Sequence, residues 1–201
     1  MGVPMPKPYR EILVMACSRS GTYYTAEYLT GMGLDVGHER INADGACGWP
    51  YAVSEPYIRA NGRRDEYEWG VIVHQVRHPL STISSMLTHE PPMIGFVSRH
   101  LGGLPDDMLH AAMLYWIGWN ELIEHQTDIR YRVEDLWPHG PADRLLRGSL
   151  PTKEVGQVVR PPSARTNARA HPDKGWADLE RKDLRASRYI YRMAHKYGYT
   201  E

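Results

Sequence analysis

The chain has only two cysteines, Cys17 and Cys47, in 201 residues. That is too few for a disulfide framework or a Cys-rich zinc site. Net charge is also missing, with 24 basic residues balancing 24 acidic ones. No global field therefore draws the protein to nucleic acid or to a membrane surface, and any anion site has to be local. No apolar run is long enough to span a bilayer. The polar, proline-punctuated residues 1–10 lack the apolar core of a signal peptide. A chain without span, leader or disulfides is expected in the cytoplasm. Ten histidines are present, but no H-E-x-x-H motif and no Cys/His cluster, so no metal is expected. Repeats, heptads and low-complexity tracts are absent too.

What remains is an ordinary globular composition, 42% hydrophobic and 24% charged, on a chain of single-domain length. One domain over residues 1–201 is expected, with a long Pro-, Gly- and Arg-rich loop region at about 137–172. Residues 11–16 are a short apolar run and read as a buried strand; residues 22–32 read as a helix with Ala26, Leu29 and Met32 on one face. A short strand is expected at 36–39, and mostly loop with a short helix at 40–61. Residues 69–76 read as a second strong strand, followed by a helix over 79–87 opened by Pro79. A long helix is expected over 106–125, burying Met108, Ala112, Tyr115, Trp116, Trp119 and Ile123. A third core strand falls at 129–133, a short helix at 142–146, and a C-terminal helix at 181–197 closed by Gly198. Strands alternating with helices predict a three-layer α/β domain with a central parallel sheet of four or five strands.

The stretch Cys17-Ser18-Arg19-Ser20-Gly21-Thr22-Tyr23-Tyr24 lies between a strand and a helix N-terminus. Exposed backbone N–H groups and the positive end of the helix dipole make such a turn an anion site. Gly21 allows close approach, Ser20 and Thr22 offer hydroxyls, and Arg19 can clamp oxygens. The turn lacks the first Gly and the Lys of a Walker A motif. A second strand, ending at Val76, runs into Arg77-His78-Pro79, and Ser85 follows eight residues after Arg77.

Together these two segments resemble the donor-binding motifs of the sulfotransferase superfamily, P-loop-type proteins that use 3′-phosphoadenosine-5′-phosphosulfate (PAPS) and release PAP. Arg-Ser-Gly-Thr after an apolar strand is similar to the 5′-phosphosulfate loop of a bacterial branch. The resemblance implies that Ser18, Arg19, Ser20, Gly21, Thr22 and Tyr23 surround the 5′ end of the donor. It implies a 3′-phosphate site at Arg77 and Ser85, with His78 where the family usually has Asp. The late segment Asn167-Ala-Arg169-Ala-His-Pro172 resembles a loop that closes over PAPS, which gives Arg169 a 3′-phosphate contact with Arg165 as a helper. Tyr131 to Leu136 resembles a structural strand end of the family.

The implied function is transfer of a sulfuryl group from PAPS to a hydroxyl or amine of a small-molecule, carbohydrate or lipid acceptor. Glu39 is the first candidate for the base and His38 the second; Arg19 is a candidate for leaving-group stabilisation. Glu39 could instead simply pair with Arg40 or Arg19. Trp49, Tyr51, Tyr57, Trp116 and Trp119 are candidates both for an acceptor pocket and for the core. Two other functions stay open. One is a P-loop kinase of a small molecule, although the strand ending at Val76 offers no Walker B Asp. The other is a nucleotide-binding or interaction protein without turnover.

Overall fold

A computed structural model describes residues 5–57, 60–88, 91–150, 153–157, 162–163 and 170–200. The first strand, β1 (Tyr9–Ala16), explains the architecture. Its residues 12–16, and Cys17 just after it, are fully buried, so this stretch has no solvent face and must be covered on both sides. Side chains alternate along a strand, and those of β1 divide accordingly. Ile12 and Val14 join one core cluster with Tyr28, Leu29, Val73 and Leu146, whereas Leu13, Met15 and Cys17 join the other with Ile83, Trp116, Trp119 and Ile190. Each fully buried large side chain contributes about 1.5–3 kcal/mol.

The sheet has five strands, all parallel, in the order β2-β3-β1-β4-β5. They are β1, β2 (Val36–His38), β3 (Gly45–Gly48), β4 (Glu68–Val76) and β5 (Arg130–Arg132). Seven helices flank it among the described residues: α1 (Thr22–Gly31), α2 (Pro79–Met86), α3 (Pro91–His100), α4 (Met108–Glu124), α5 (Pro141–Ser149), α6 (Trp176–Lys182) and α7 (Leu184–Lys196). Helices α1 and α5 cover one face, tied by the Tyr28 hydroxyl donating to Asp143 Oδ1 at 3.0 Å. Residues of α2, α3, α4, α6 and α7 build the other core. The three-layer α/β fold with a central parallel sheet is thus the observed one.

Three elements depart from expectation. Within 40–61 the structure has, besides the short 3-10 turn Pro50–Ala52, the strand β3. Its sequence is Gly-Ala-Cys-Gly, too poor in side chains to carry a strand pattern. A Cβ on Gly45 would lie 2.1 Å from the Ile12 carbonyl oxygen, so the closeness of β3 to β1 requires glycine there. Helix α3 was not expected. The C-terminal helix starts three residues later than expected, and a further helix, α6, precedes it: the chain breaks at Asp183, whose side chain accepts from the N–H groups of Arg185 and Ala186 and caps α7. A smaller departure is Met108, expected to be buried but 36% exposed at the start of α4.

The topology sets where chemistry can occur. From central β1 the chain runs out to β2 and β3 on one side, then crosses to β4 and β5 on the other. Every strand is parallel, so the segments after β1, β2, β3, β4 and β5 all open on one edge. Ligands of open α/β sheets bind at that carboxyl edge, where the order reverses.

Candidate functional site

The turn after β1 is built from backbone conformations that few residues adopt. Gly21 has φ +84°, and a Cβ there would come within 3.2 Å of Val133 Cγ2. Arg19 adopts φ +66° despite its side chain, a conformation that costs roughly 1–3 kcal/mol and concentrates at functional sites. Ser18, Ser20 and Thr22 are buried. Gly21 caps α1 without any side-chain bond, and the first turn of α1 has no acidic residue. The first helical bond is Thr25 N–H to the Gly21 carbonyl, 3.1 Å. The opening amides of α1 therefore have no intrahelical acceptors, and the helix dipole adds positive potential there.

The end of β4 meets this turn directly. Arg77 Nη1 donates to the Arg19 carbonyl at 2.9 Å. Arg19 Nε donates to Ser85 Oγ on α2, also at 2.9 Å. Two segments 66 residues apart in sequence thus share one set of contacts, with Arg19, Arg77 and Ser85 around it. Gln75, which sequence reasoning did not single out, donates from Nε2 to the Ser20 carbonyl at 2.6 Å. Beside Ser85, Ser84 Oγ accepts the backbone N–H of Lys174 at 2.9 Å, so the chain leading into α6 returns to α2. Asn167, Arg165 and Arg169 lie outside the described residues.

The end of β2 and the residue after it form the opposite side. His38 Nε2 is 3.0 Å from Thr22 Oγ1 and 3.9 Å from Glu39 Oε1. The His38 pKa is lowered below its ordinary value, chiefly by burial and against the opposing pull of the Glu39 carboxylate. A neutral imidazole at pH 7 can accept a proton, and one beside a carboxylate can keep it. Glu39 has φ +53°. Arg19, Glu39 and His139 are the non-glycine residues with positive φ among those described, so two of three such positions flank this site. The partners seen for Glu39 are Trp49 Nε1, donating at 2.8 Å, and the more distant His38. Tyr23 packs edge-on to His38 with ring centroids 5.3 Å apart and is 38% exposed.

Of the two roles open to the aromatic candidates, the structure gives them the core one. Trp49, Tyr51, Tyr57, Trp116 and Trp119 are all buried in one core cluster. Trp49 stacks among Tyr57, Phe96 and Trp119, and Trp119 Nε1 donates to the Trp49 carbonyl. The exposed aromatics on this edge are instead Tyr23 and Trp137, the latter following Leu136, whose carbonyl accepts from Tyr24 of α1. Nothing in sequence separates an exposed Trp from a core one when both sit in loops.

A concavity of about 940 Å³ lies elsewhere, between α4, α6 and α7, lined by Trp176, Tyr189 and Tyr191 among others; none of the candidate residues borders it. Among the described residues no three His, Cys, Asp or Glu side chains gather as metal ligands could, and no helix is long and apolar enough to cross a membrane. Comparison of the chain with protein-family models, with curated proteins and with solved structures gave no match.

Proposed function

We propose that this protein is a sulfotransferase that moves a sulfuryl group from PAPS to a hydroxyl or amine of a small-molecule, carbohydrate or lipid acceptor. The observation that carries the reading is the pair of bonds Arg19 Nε to Ser85 Oγ and Arg77 Nη1 to the Arg19 carbonyl. The two motifs that resemble donor-binding segments would have to meet to hold one bisphosphorylated nucleotide, and these bonds, which join them, support that reading.

The residues present suit such an anion. Amides without intrahelical acceptors at the start of α1 and the hydroxyls of Ser20 and Thr22 are donors of the kind that hold phosphate or sulfate oxygens. Ser18, Arg19, Gly21 and Tyr23 complete the 5′ side in this reading; Arg77 and Ser85 form the 3′ side, and Arg169 keeps its role from sequence. When bound, PAPS would supply the sulfuryl group, its S–O bond to phosphate breaking as the acceptor's bond to sulfur forms. The chain's own part is to take the acceptor proton and to steady the charge left on the phosphate oxygen. Glu39 or His38 takes that proton. With Thr22 Oγ1 3.0 Å from its ring, His38 is held against the first turn of α1, while Glu39 is held by Trp49. Arg19 is the cation nearest the turn and stabilises the leaving group.

Calorimetry tests the donor assignment. PAP binding in the absence of magnesium is the expected result. ATP binding that requires magnesium, with no response to PAP, would replace this reading with the small-molecule kinase. Tight PAP binding with no transfer from labelled PAPS to a broad acceptor panel would favour a nucleotide-binding protein without turnover.

A further inference from the structure

Gln75 sits in the middle of the chemistry without belonging to any motif. It occupies the second-last position of β4, pairs with Ala16 of β1, and is fully buried. Its Oε1 accepts two hydroxyls, Thr25 Oγ1 on α1 and Tyr131 on β5, each at 2.6 Å. Its Nε2 donates to the Ser20 carbonyl at 2.6 Å. The direction of this amide is forced. A carbonyl oxygen can only accept, so the NH₂ group must face Ser20, and both lone pairs of Oε1 are then used by the two hydroxyls.

The consequence falls on Gly21. The Ser20–Gly21 peptide is trans, since the described backbone holds no cis bond, and across a planar trans peptide C=O and N–H point in opposite directions. With the Ser20 carbonyl drawn inward to Gln75, the Gly21 N–H is turned outward, away from the buried network. Arg77 holds the preceding carbonyl, that of Arg19, from the same strand end. The two side chains, one on β4 and one just past its end, thus fix two successive carbonyls of the turn.

We infer that Gln75 is the positioning residue of the anion-binding turn: it sets the Gly21 amide toward an oxyanion of the ligand, and Thr25 and Tyr131 keep it from rotating. The inference rests on the reading of this turn as a phosphate- or sulfate-binding loop. A preset donor binds without reorganisation, which is where oriented amides gain over flexible ones. Gln75 does not touch the ligand and acts through the Ser20–Gly21 peptide.

The test follows the Gly21 amide resonance of the ¹⁵N-labelled full chain during titration with PAP and, separately, with sodium sulfate. Three proteins are compared: wild type, Gln75→Met and Tyr131→Phe. Gln75→Met is neutral and near in size, and Thr25 and Tyr131 can pair with each other in its absence, their hydroxyls being 3.4 Å apart. The expected result is a Gly21 shift in wild type with both probes. Gln75→Met weakens both midpoints by tenfold or more. Tyr131→Phe, which leaves Thr25 in place, weakens them two- to fivefold. Wild-type midpoints and an unchanged Gly21 shift in Gln75→Met would overturn the inference, because a merely structural glutamine would lower the unfolding temperature and leave that resonance alone. If Gln75→Met does not fold, Tyr131→Phe decides alone, and a wild-type midpoint there overturns it. A response to sulfate without any response to PAP would sink the nucleotide reading while the sulfate comparison still decides Gln75. No Gly21 shift with either probe would remove both.

Discussion

The indole N–H of Trp49 donates to Oε1 of Glu39 at 2.8 Å, joining the residues that follow two neighbouring parallel strands. Glu39 N–H in turn donates to the Cys47 carbonyl at 2.9 Å. A Cβ on Gly48 would sit 3.3 Å from Glu39 Cα, so the backbones are pressed together where the carboxylate turns out. Glu39 is left-handed at this point of close approach, and the indole fixes one of its two oxygens. Such a carboxylate is held in one orientation beside a neutral imidazole.

That arrangement separates the two candidate bases. Glu39→Gln keeps the shape and the bond from Trp49 but cannot accept a proton. If Glu39 is the base, turnover with PAPS falls by about 10²–10⁴-fold, the usual contribution of a positioned base, while PAP affinity stays within about threefold of wild type, as expected of a group that acts on the acceptor proton. His38→Gln under the same conditions then loses less. The reverse order assigns the proton to His38. Equal, small losses in both variants would leave neither as the base.

Arg19 combines a strained backbone with a binding side chain, and the two can be measured apart. Arg19→Ala and Arg19→Gly both remove the guanidinium that donates to Ser85. Both are expected to weaken PAP binding by roughly 10–100-fold, the scale of one or two charge-assisted bonds. Only glycine relieves the φ of +66°. Arg19→Gly is therefore expected to unfold at higher urea than Arg19→Ala, by about 1 kcal/mol in free energy. Equal stabilities would mean that the turn relaxes in solution.

Much of this was legible in the sequence, and the failures have physical causes. β1 and β4 are apolar runs followed by Cys-Ser-Arg-Ser-Gly and Arg-His-Pro, and both ends open on one sheet edge. Strand β3 was illegible because closeness to β1 selects glycine, which erases the alternation a strand is recognised by. The break between α6 and α7 hides in a continuous helical pattern; its one signal was Asp183, an N-cap residue within a run otherwise suited to helix. Helix α3 opens with Pro91-Pro92, and among its described side chains only Phe96 and Val97 are buried, too few for a periodic face. Gln75 was passed over because, directly after His74, it looks like part of a polar interruption in an apolar strand until its three partners are seen. Burial of the tryptophans is a matter of tertiary packing, which residue type alone does not fix.

The reading of β3 gives a stability prediction. Gly45 lies in register with Ile12, and its missing side chain is where the Ile12 carbonyl sits. Gly45→Ala must push β3 away from β1 or break their pairing, and either opens both core clusters. The expected loss is about 3 kcal/mol or more by urea denaturation, with much of the protein insoluble on expression. Gly148, at which an added Cβ meets nothing within 4 Å, supplies the control: Gly148→Ala lies within helix α5 and should stabilise by roughly 0.5–1 kcal/mol. A Gly45→Ala protein as stable as wild type would place β3 wrongly.

Burial of His74 predicts a fold that weakens in mild acid. This residue is fully buried on β4, with Nε2 3.0 Å from Asn120 Oδ1 of α4 and its ring edge-on to Tyr197. Burial lowers its pKa to about 4, against the opposing bond from Asn120 and with a further push from the Arg130 cation. An unfolded histidine titrates near 6.5, so between those values the unfolded chain binds a proton that the folded one excludes. The stabilising effect of a neutral His74 is fully present above pH 6.5 and is lost as the pH falls toward 4. Complete loss corresponds to on the order of 3 kcal/mol. His38 and His78, whose pKa values burial also lowers, add to the slope with the same sign. The carboxylates whose pKa values lie below normal, Asp44 and Asp143 among them, lose their contribution only at lower pH. Urea denaturation at half-unit steps from pH 7 to 4.5 should therefore show a steady fall in wild type and a flatter profile in His74→Gln, whose amide can still meet Asn120. Parallel profiles in the two proteins would mean that His74 takes up its proton in the folded state and that strand β4 meets water there.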